Sequence, residues 1–108
     1  MQTIDVSQNY ILSVDVLNQF RNVTIINASH NYIQDIALNL AKLQDLNLSN
    51  NFLTKFPLLH HLPKIKKLDL SSNKITEIKV DFKPPASTSL IHLDISNNPF
   101  EFATDIEM

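Results

Sequence analysis

One eleven-residue pattern occurs five times in this chain and constrains its fold more than any other feature. Each copy has apolar residues at places 1, 4, 6 and 11 and an asparagine at place 9. The copies begin at residues 1, 23, 43, 65 and 90, and their asparagines are 22, 20, 22 and 25 residues apart. A pattern that returns at such intervals indicates stacked repeats, because each repeat buries its apolar face only against its neighbours. The copies read MQTIDVSQNYI, VTIINASHNYI, LQDLNLSNNFL, IKKLDLSSNKI and LIHLDISNNPF.

Places 4 and 6 of each copy flank one polar residue, and this alternation predicts a short strand with places 4 and 6 facing inward. Successive strands should stack in parallel, about 4.8 Å apart. Place 11 should turn the chain back to the core, and places 14 and 20 supply further inward residues, including Phe20, Phe56, Leu62 and Ile78. The predicted inward pairs at places 4 and 6 are Ile4 and Val6, Ile26 and Ala28, Leu46 and Leu48, Leu68 and Leu70, and Leu93 and Ile95.

The asparagine at place 9 should point inward at a tight corner, where backbone groups would otherwise be buried without partners. A carboxamide donates and accepts hydrogen bonds at once, whereas aspartate only accepts. We therefore expect a structural asparagine ladder of Asn9, Asn31, Asn51, Asn73 and Asn98.

The five copies resemble the leucine-rich repeat superfamily over residues 1–100. The short repeats, with IQDI and ITEI after the asparagine, are similar to the intracellular class typified by the leucine-rich regulator of protein phosphatase one. The resemblance implies an α/β repeat solenoid, a right-handed coil or horseshoe segment with a short-stranded parallel concave sheet and a mostly irregular or 3₁₀ convex side. The expected repeats are 1–22, 23–42, 43–64, 65–89 and a partial 90–100, and residues 101–108 form a tail or the remnant of a cap.

The segment NNPFEFATDI resembles the C-terminal cap of extracellular leucine-rich repeat receptors, including Toll-like receptors, whose pattern is N-P-F-x-C-x-C-x-I. Phe102 and Thr104 stand at its cysteine places. The chain also lacks a polar capping repeat, so we expect it to be part of a larger protein, and either to fray at residues 1–11 or to self-associate through uncapped ends. The matching residues are Asn98, Pro99, Phe100 and Ile106.

Composition excludes most enzyme classes. The 108 residues contain no glycine and no cysteine, which removes phosphate-binding loops, dinucleotide fingerprints, disulfides and cysteine metal sites. His60 and His61 should point apart on the convex side. Ser96, His92 and Asp69 lack an oxyanion site. We therefore expect no catalysis, cofactor or metal.

Charge and hydropathy exclude further partners. Residues 51–100 contain seven lysines and no arginine, which argues against nucleic-acid binding. No apolar run is long enough for membrane insertion. The class of partner that remains is a protein or a peptide.

Two exposed surfaces are candidates for that partner. The concave face carries polar columns that either solvate the sheet or form a groove about 19 Å long. Place 10 carries three successive aromatic residues, which either form an interface or shield the turn. The loop at 79–89 is a further candidate. The predicted partner-binding residues are Tyr10, Ile25, Asn27, Tyr32, Asn47, Phe52, Lys67 and His92.

Three readings of function remain. We expect a non-enzymatic protein–protein interaction module with a curved, rigid surface. The alternatives are a fragment of an extracellular receptor ectodomain for ligand recognition, and structural spacer repeats without a ligand. The absence of a signal peptide and of cysteine favours the cytoplasm, whereas an excised ectodomain would be extracellular. If the chain is secreted, N-glycosylation could occur at Asn22, Asn27 and Asn47.

Overall fold

The computed structural model describes residues 2–77 and 90–101. Five short strands form one parallel sheet in the order in which they occur along the chain, so each repeat places its strand beside that of the next. A parallel neighbour requires a crossover on one face of the sheet. This coil confirms the predicted repeat solenoid. The strands are β1 (Gln2–Asp5), β2 (Val23–Asn27), β3 (Asp45–Asn47), β4 (Lys67–Asp69) and β5 (His92–Asp94).

The register pairs equal places of successive repeats, apart from an irregularity at Gln2, which lies opposite Val23. Ile26 lies opposite Leu46, which lies opposite Leu68, and Leu68 lies opposite Leu93. A slip of one residue would turn these side chains to the other face of the sheet. The apolar pattern therefore fixes the register that the structure shows.

Inward side chains of the central repeats form one continuous core. Leu46, Leu48, Leu68 and Leu70 are at most 2% exposed. The outer repeats are less buried because each has a neighbour on one side only within the described residues. Ile4, Val6 and Ile95 are half-buried, and Leu93 is exposed.

The structure corrects one inward assignment on the return path. Phe20 is 43% exposed rather than buried, whereas Leu62, at the same place of the third repeat, is 1% exposed. Phe20 belongs to the first described coil and lines a mostly apolar hollow with Ile4, Val6 and Leu17. Ile78 lies outside the described residues.

The convex side is built from short 3₁₀ turns and irregular chain. Two 3₁₀ turns span Asp15–Gln19 and Leu59–His61, and residues 34–40 are irregular. Pro57 and Pro63 flank the second turn, where their fixed φ and missing N–H prevent a longer helix. No helix among the described residues is long and apolar enough to cross a membrane.

Place 8 of every repeat has a left-handed backbone. The φ angles lie between 56° and 57°, although the chain has no glycine to supply them. Among residues other than glycine, asparagine and aspartate adopt this conformation most readily. Aspartate fills none of these five corners, and glutamine, histidine and serine occupy three. The residues are Gln8, His30, Asn50, Ser72 and Asn97.

Candidate functional site

Four of the five place-9 asparagines connect successive repeats behind the sheet, whereas Asn9 is exposed and its Nδ2 donates only to carbonyls of its own repeat. Nδ2 of Asn51 donates to the carbonyl oxygens of Ala28, Leu48 and Ser49 at 3.0–3.2 Å. Its Oδ1 accepts the backbone N–H of Ile33 at 3.1 Å. The carboxamide thus satisfies backbone groups of its own repeat and of the preceding one. Asn31, Asn73 and Asn98 repeat this arrangement.

A second hydrogen-bond column shapes the concave face. At each place 5, Oδ1 of an aspartate or asparagine accepts both the backbone N–H and the hydroxyl of the serine two residues later. In the fourth repeat, Ser71 donates to Asp69 from its nitrogen at 2.9 Å and from its hydroxyl at 2.6 Å. The serine column is therefore held against the sheet by local bonds. The other pairs are Asp5–Ser7, Asn27–Ser29, Asn47–Ser49 and Asp94–Ser96.

These bonds also stabilise the charged form of the exposed carboxylates. The Ser96 hydroxyl, and after it the Ser96 backbone N–H, holds the pKa of Asp94 below its ordinary 3.8. The same two bonds from Ser7 lower the pKa of Asp5. Hydrogen bonds to an ionised carboxylate favour that form. The column therefore presents negative charge at neutral pH.

The concave face deepens into a groove over β3–β5. Its volume is about 850 Å³. Of the predicted partner-binding residues, Asn47, Lys67 and His92 line this groove together with Asp69 and Asp94. Ile25 and Asn27 do not line it. The sheet register places Asp45 beside Lys67 and Lys67 beside His92, so the groove carries side chains of both charges.

The groove residues Ser96, His92 and Asp69 do not form a catalytic triad. The Ser96 hydroxyl donates to Asp94 at 2.7 Å, and Asp69 accepts from Ser71. A nucleophilic serine needs its hydroxyl on a base that a third group orients. The hydrogen bonds of the described residues do not link His92 to either partner, so the arrangement does not activate a nucleophile.

The place-10 aromatics form a continuous row along one flank of the solenoid. The ring centroids of Tyr10 and Tyr32 are 5.5 Å apart, and those of Tyr32 and Phe52 are 5.7 Å apart. The rings are tilted by about 50° to each other. Their exposed fractions are 80%, 44% and 42%. We call Tyr10, Tyr32 and Phe52 the aromatic flank.

Equal backbone bonds align the aromatic flank. The N–H of Tyr32 donates to the Ile11 carbonyl at 2.9 Å, and the N–H of Phe52 donates to that of Ile33 at 2.9 Å. Because the same bond recurs in these two repeats, the side chains of Tyr32 and Phe52 leave the backbone at equivalent points. The ring contacts shield part of each neighbour and still leave a large apolar surface in solvent.

Two sequence-based descriptions need correction. Ile25, expected to be an exposed apolar residue of the concave face, is half-buried. It lies in the middle of β2 with strands on both sides, whereas Ile91 is 72% exposed beside the outer strand. His60 and His61 do not point apart, since their ring centroids are 4.2 Å apart in an edge-on contact. Among the described residues, no three histidine or acidic side chains could hold a metal ion together.

Sequence reasoning missed a side-chain clamp on the convex side. Asn18 donates from Nδ2 to the Ala37 carbonyl at 2.9 Å and accepts the N–H of Asn39 at 2.8 Å. Asp15 accepts the N–H of Ala37 at 3.0 Å. These bonds connect the first 3₁₀ turn to the irregular segment of the second repeat. The pattern could not reveal them, because neither polar residue recurs at the same place of the other repeats.

The three sequons differ in their surroundings. Asn22 is exposed in the turn before β2, where its Oδ1 accepts from the Lys42 ammonium at 2.9 Å. Asn27 and Asn47 are half-buried, and the serine of each sequon donates to the asparagine Oδ1. A glycan on either of these two would stand on the concave face, whereas one on Asn22 would stand at its edge.

Comparisons with known proteins agree with this geometry. The family model for leucine-rich repeats in two copies matches residues 41–84, and that for a single leucine-rich repeat matches residues 89–107. The chain belongs to the leucine-rich repeat proteins. Such repeats imply a protein–protein interaction module and are generally non-catalytic.

The relatives are much longer proteins. The chain is 42% identical to chaoptin of Drosophila melanogaster over 65 residues, which cover 59% of this chain and 5% of chaoptin. It is 35% identical to a probable inactive serine/threonine-protein kinase of Dictyostelium discoideum, covering 67% and 4% of the two chains. It is 26% identical to adenylate cyclase of Podospora anserina, covering 78% and 4%. The chain thus spans about one twentieth of the relatives it matches.

Proposed function

We propose that this chain is a non-enzymatic binding module that holds a protein partner on its aromatic flank and concave groove. The observation that carries the proposal is the aromatic flank itself, three rings in mutual contact that remain 42–80% exposed. Aromatic residues are enriched at the energetic centres of interfaces, because they bury a large area with few rotatable bonds. The place-10 backbone bonds pre-organise the rings of Tyr32 and Phe52, which lowers the ordering cost of binding.

The concave groove over β3–β5 is the polar part of the proposed binding site. Asn47, Lys67 and His92 supply donors and acceptors, and Asp69 and Asp94 supply carboxylates. Groups of both signs at an interface set specificity and orientation more than affinity. We therefore assign the groove to selection of the partner and the aromatic flank to most of the binding free energy.

The non-enzymatic assignment is supported by the hydroxyls of the groove. Every place-7 serine donates to its own place-5 side chain, so each is used within the sheet. The adenylate cyclase and kinase relatives share only about one twentieth of their length with this chain. Their activities are therefore not transferred to it.

Affinity capture with matched variants tests this function. The wild-type chain, Tyr32→Ala, Phe52→Ala and Phe20→Ala would be immobilised, and the captured proteins would be quantified by mass spectrometry. Phe20 is the matched control because its exposed fraction of 43% equals that of Phe52 within one per cent, while it lies away from the aromatic flank. We expect at least one protein to bind the wild type and Phe20→Ala and to be lost with both flank variants. A set of captured proteins that is the same for all four baits would contradict the proposal.

A receptor ectodomain is the second candidate, and the surroundings of Asn22 favour it. This sequon is exposed in a turn, as an acceptor for N-glycosylation must be. Expression through a secretory pathway, followed by glycosidase treatment, tests the candidate. A mass shift that Asn22→Gln abolishes would support it, and secretion without any glycan would count against it.

A further inference from the structure

The aromatic flank has a spacing that selects among the forms a partner chain can take. Consecutive rings are 5.5 Å and 5.7 Å apart. An α-helix rises about 5.4 Å per turn, so a helix lying along the flank presents one side chain to each ring. In an extended strand, side chains on one face recur about every 6.7 Å, and a polyproline helix repeats about every 9.3 Å. Of these three spacings, the rise of one helical turn agrees best with the distances between the rings.

The next repeat adds a charge in line with the rings. Lys74 occupies place 10 of the fourth repeat, and its N–H donates to the Leu53 carbonyl at 2.8 Å. This is the same backbone bond that positions Tyr32 and Phe52. The Lys74 side chain is exposed. Place 10 of the first four repeats therefore carries three aromatic side chains followed by a cation.

We infer that the partner segment is an amphipathic α-helix that lies along the aromatic flank. Its apolar side chains at i, i+3 or i+4, and i+7 contact Tyr10, Tyr32 and Phe52, and an acidic side chain one turn further, near i+11, faces Lys74. An apolar helix face seated on such a surface is a recurrent form of peptide recognition. This inference rests on the proposed function and names the class of partner for the same surface.

For a helix with an acidic residue at one end of its apolar stripe, the charge of Lys74 fixes which end lies at the fourth repeat. An acidic residue on the turn that meets Lys74 gains a Coulomb contact, and the same residue at the opposite end would lie beside Tyr10. An exposed pair of this kind changes affinity by only about two- to five-fold. The three rings therefore provide most of the affinity, and Lys74 sets the orientation of the helix along the flank.

Selection from peptide-display libraries tests the inference on the full chain. One library would present a helical scaffold with randomised residues at i, i+4, i+7 and i+11, and the others would present linear and proline-rich peptides of equal length. We expect the strongest binders to come from the helical library, with large apolar residues at the first three positions and Asp or Glu at the fourth.

Variants then test each contact of the selected peptide. Tyr32→Ala and Phe52→Ala should weaken it about ten-fold or more, while Phe20→Ala should not. Lys74→Glu should weaken it two- to five-fold, and a lysine at the fourth peptide position should restore the loss. A proline in the middle of the peptide, on its solvent side, should abolish binding, because it breaks a helix and not an extended chain.

Other outcomes would overturn the helical partner. Binders that come from the linear or proline-rich libraries and depend on Tyr32 would show an extended partner on the same flank, which leaves the proposed function intact. Binders that are indifferent to Tyr32 and Phe52, or no binders at all, would remove the flank as a helix site. The proposed function fails separately, when proteins captured by affinity are unaffected by the flank variants.

Discussion

The side-chain oxygen of Asn51 accepts the backbone N–H of Ile33, which lies 18 residues earlier in the chain, at 3.1 Å. The same side chain is 3% exposed and donates to three carbonyls. One carboxamide thus replaces the water that four backbone groups lose when two repeats stack.

Asn51→Ala should leave these buried backbone groups without partners. We expect a loss of about 1–3 kcal/mol in the free energy of unfolding. Asn51→Asp should be at least as harmful, since a carboxylate cannot donate to the three carbonyls. Urea unfolding monitored by circular dichroism measures both changes. Asn39→Ala is the control because that side chain is exposed, and equal midpoints for Asn51→Ala and Asn39→Ala would contradict a structural ladder.

Asn18→Ala should loosen the convex side between the first two repeats. It removes the bonds to the Ala37 carbonyl and to the Asn39 N–H. We expect a loss of about 1 kcal/mol, because the clamp is exposed to solvent. Faster amide hydrogen exchange at Asn39 should accompany it, while the neighbouring exposed variant Gln19→Ala leaves that amide unchanged. Unaltered exchange at Asn39 would mean that the clamp does not hold this segment.

The left-handed corners offer a way to stabilise the chain. Ser72 has φ 56°, a conformation that asparagine tolerates better than most residues. Ser72→Asn should raise the free energy of unfolding by about 0.5 kcal/mol, and Ser72→Val should lower it by about 1–2 kcal/mol. Asn50→Ser, the reverse change at the same place of the third repeat, should destabilise. Thermal melts of the three variants in one buffer give the order of their stabilities. A Ser72→Val variant that melts above the wild type would contradict the expected order.

The Asp94 carboxylate should titrate below pH 3.8. Ser96 donates to its charged form, so the folded pKa lies below the unfolded one. The stabilisation is therefore complete above the unfolded pKa and is lost as pH falls through the folded pKa. A carbon-detected NMR titration of Asp94 should show a midpoint that rises towards 3.8 in Ser96→Ala and stays low in Thr54→Ala. A midpoint unaffected by Ser96→Ala would refute this cause.

Periodic features of the fold were predictable from sequence. Leu46 and Leu68 alternate with polar neighbours in a pattern that recurs along the chain, and both lie in register in the core. The same packing contact recurs at such positions, since each side chain lies beside its equivalent on the next strand. The parallel order of the five strands followed from the same spacing.

Other features depend on where a repeat lies or on a single contact. Phe20 is a large apolar residue and was predicted to be buried. It is exposed because its coil has a described neighbour on one side only. Ile25 gains burial from two flanking strands, and the His60–His61 contact depends on a short 3₁₀ turn. The Asn18 clamp occurs once and leaves no periodic trace. Boundaries of the repeats and the loop at 79–89 stay predictions, and that loop lies outside the described residues.

The aromatic row was visible in the sequence, but its geometry was not. Place 10 showed Tyr10, Tyr32 and Phe52 in succession. Only the structure gives ring spacings of 5.5 Å and 5.7 Å and shows that the rings contact each other. The roles of packing and of binding can be separated by comparing stability with affinity.

The affinity of a captured partner for flank variants is the decisive test of partner recognition by the aromatic flank. Isothermal titration calorimetry would compare the wild type with Tyr32→Ala, Phe52→Ala and the matched Phe20→Ala, each with its melting temperature. We predict that each flank variant loses about 1–3 kcal/mol of binding free energy and keeps a melting temperature near that of the wild type. Flank variants that bind as tightly as Phe20→Ala, or that lose binding only because they unfold, would contradict the assignment of the aromatic flank to partner recognition.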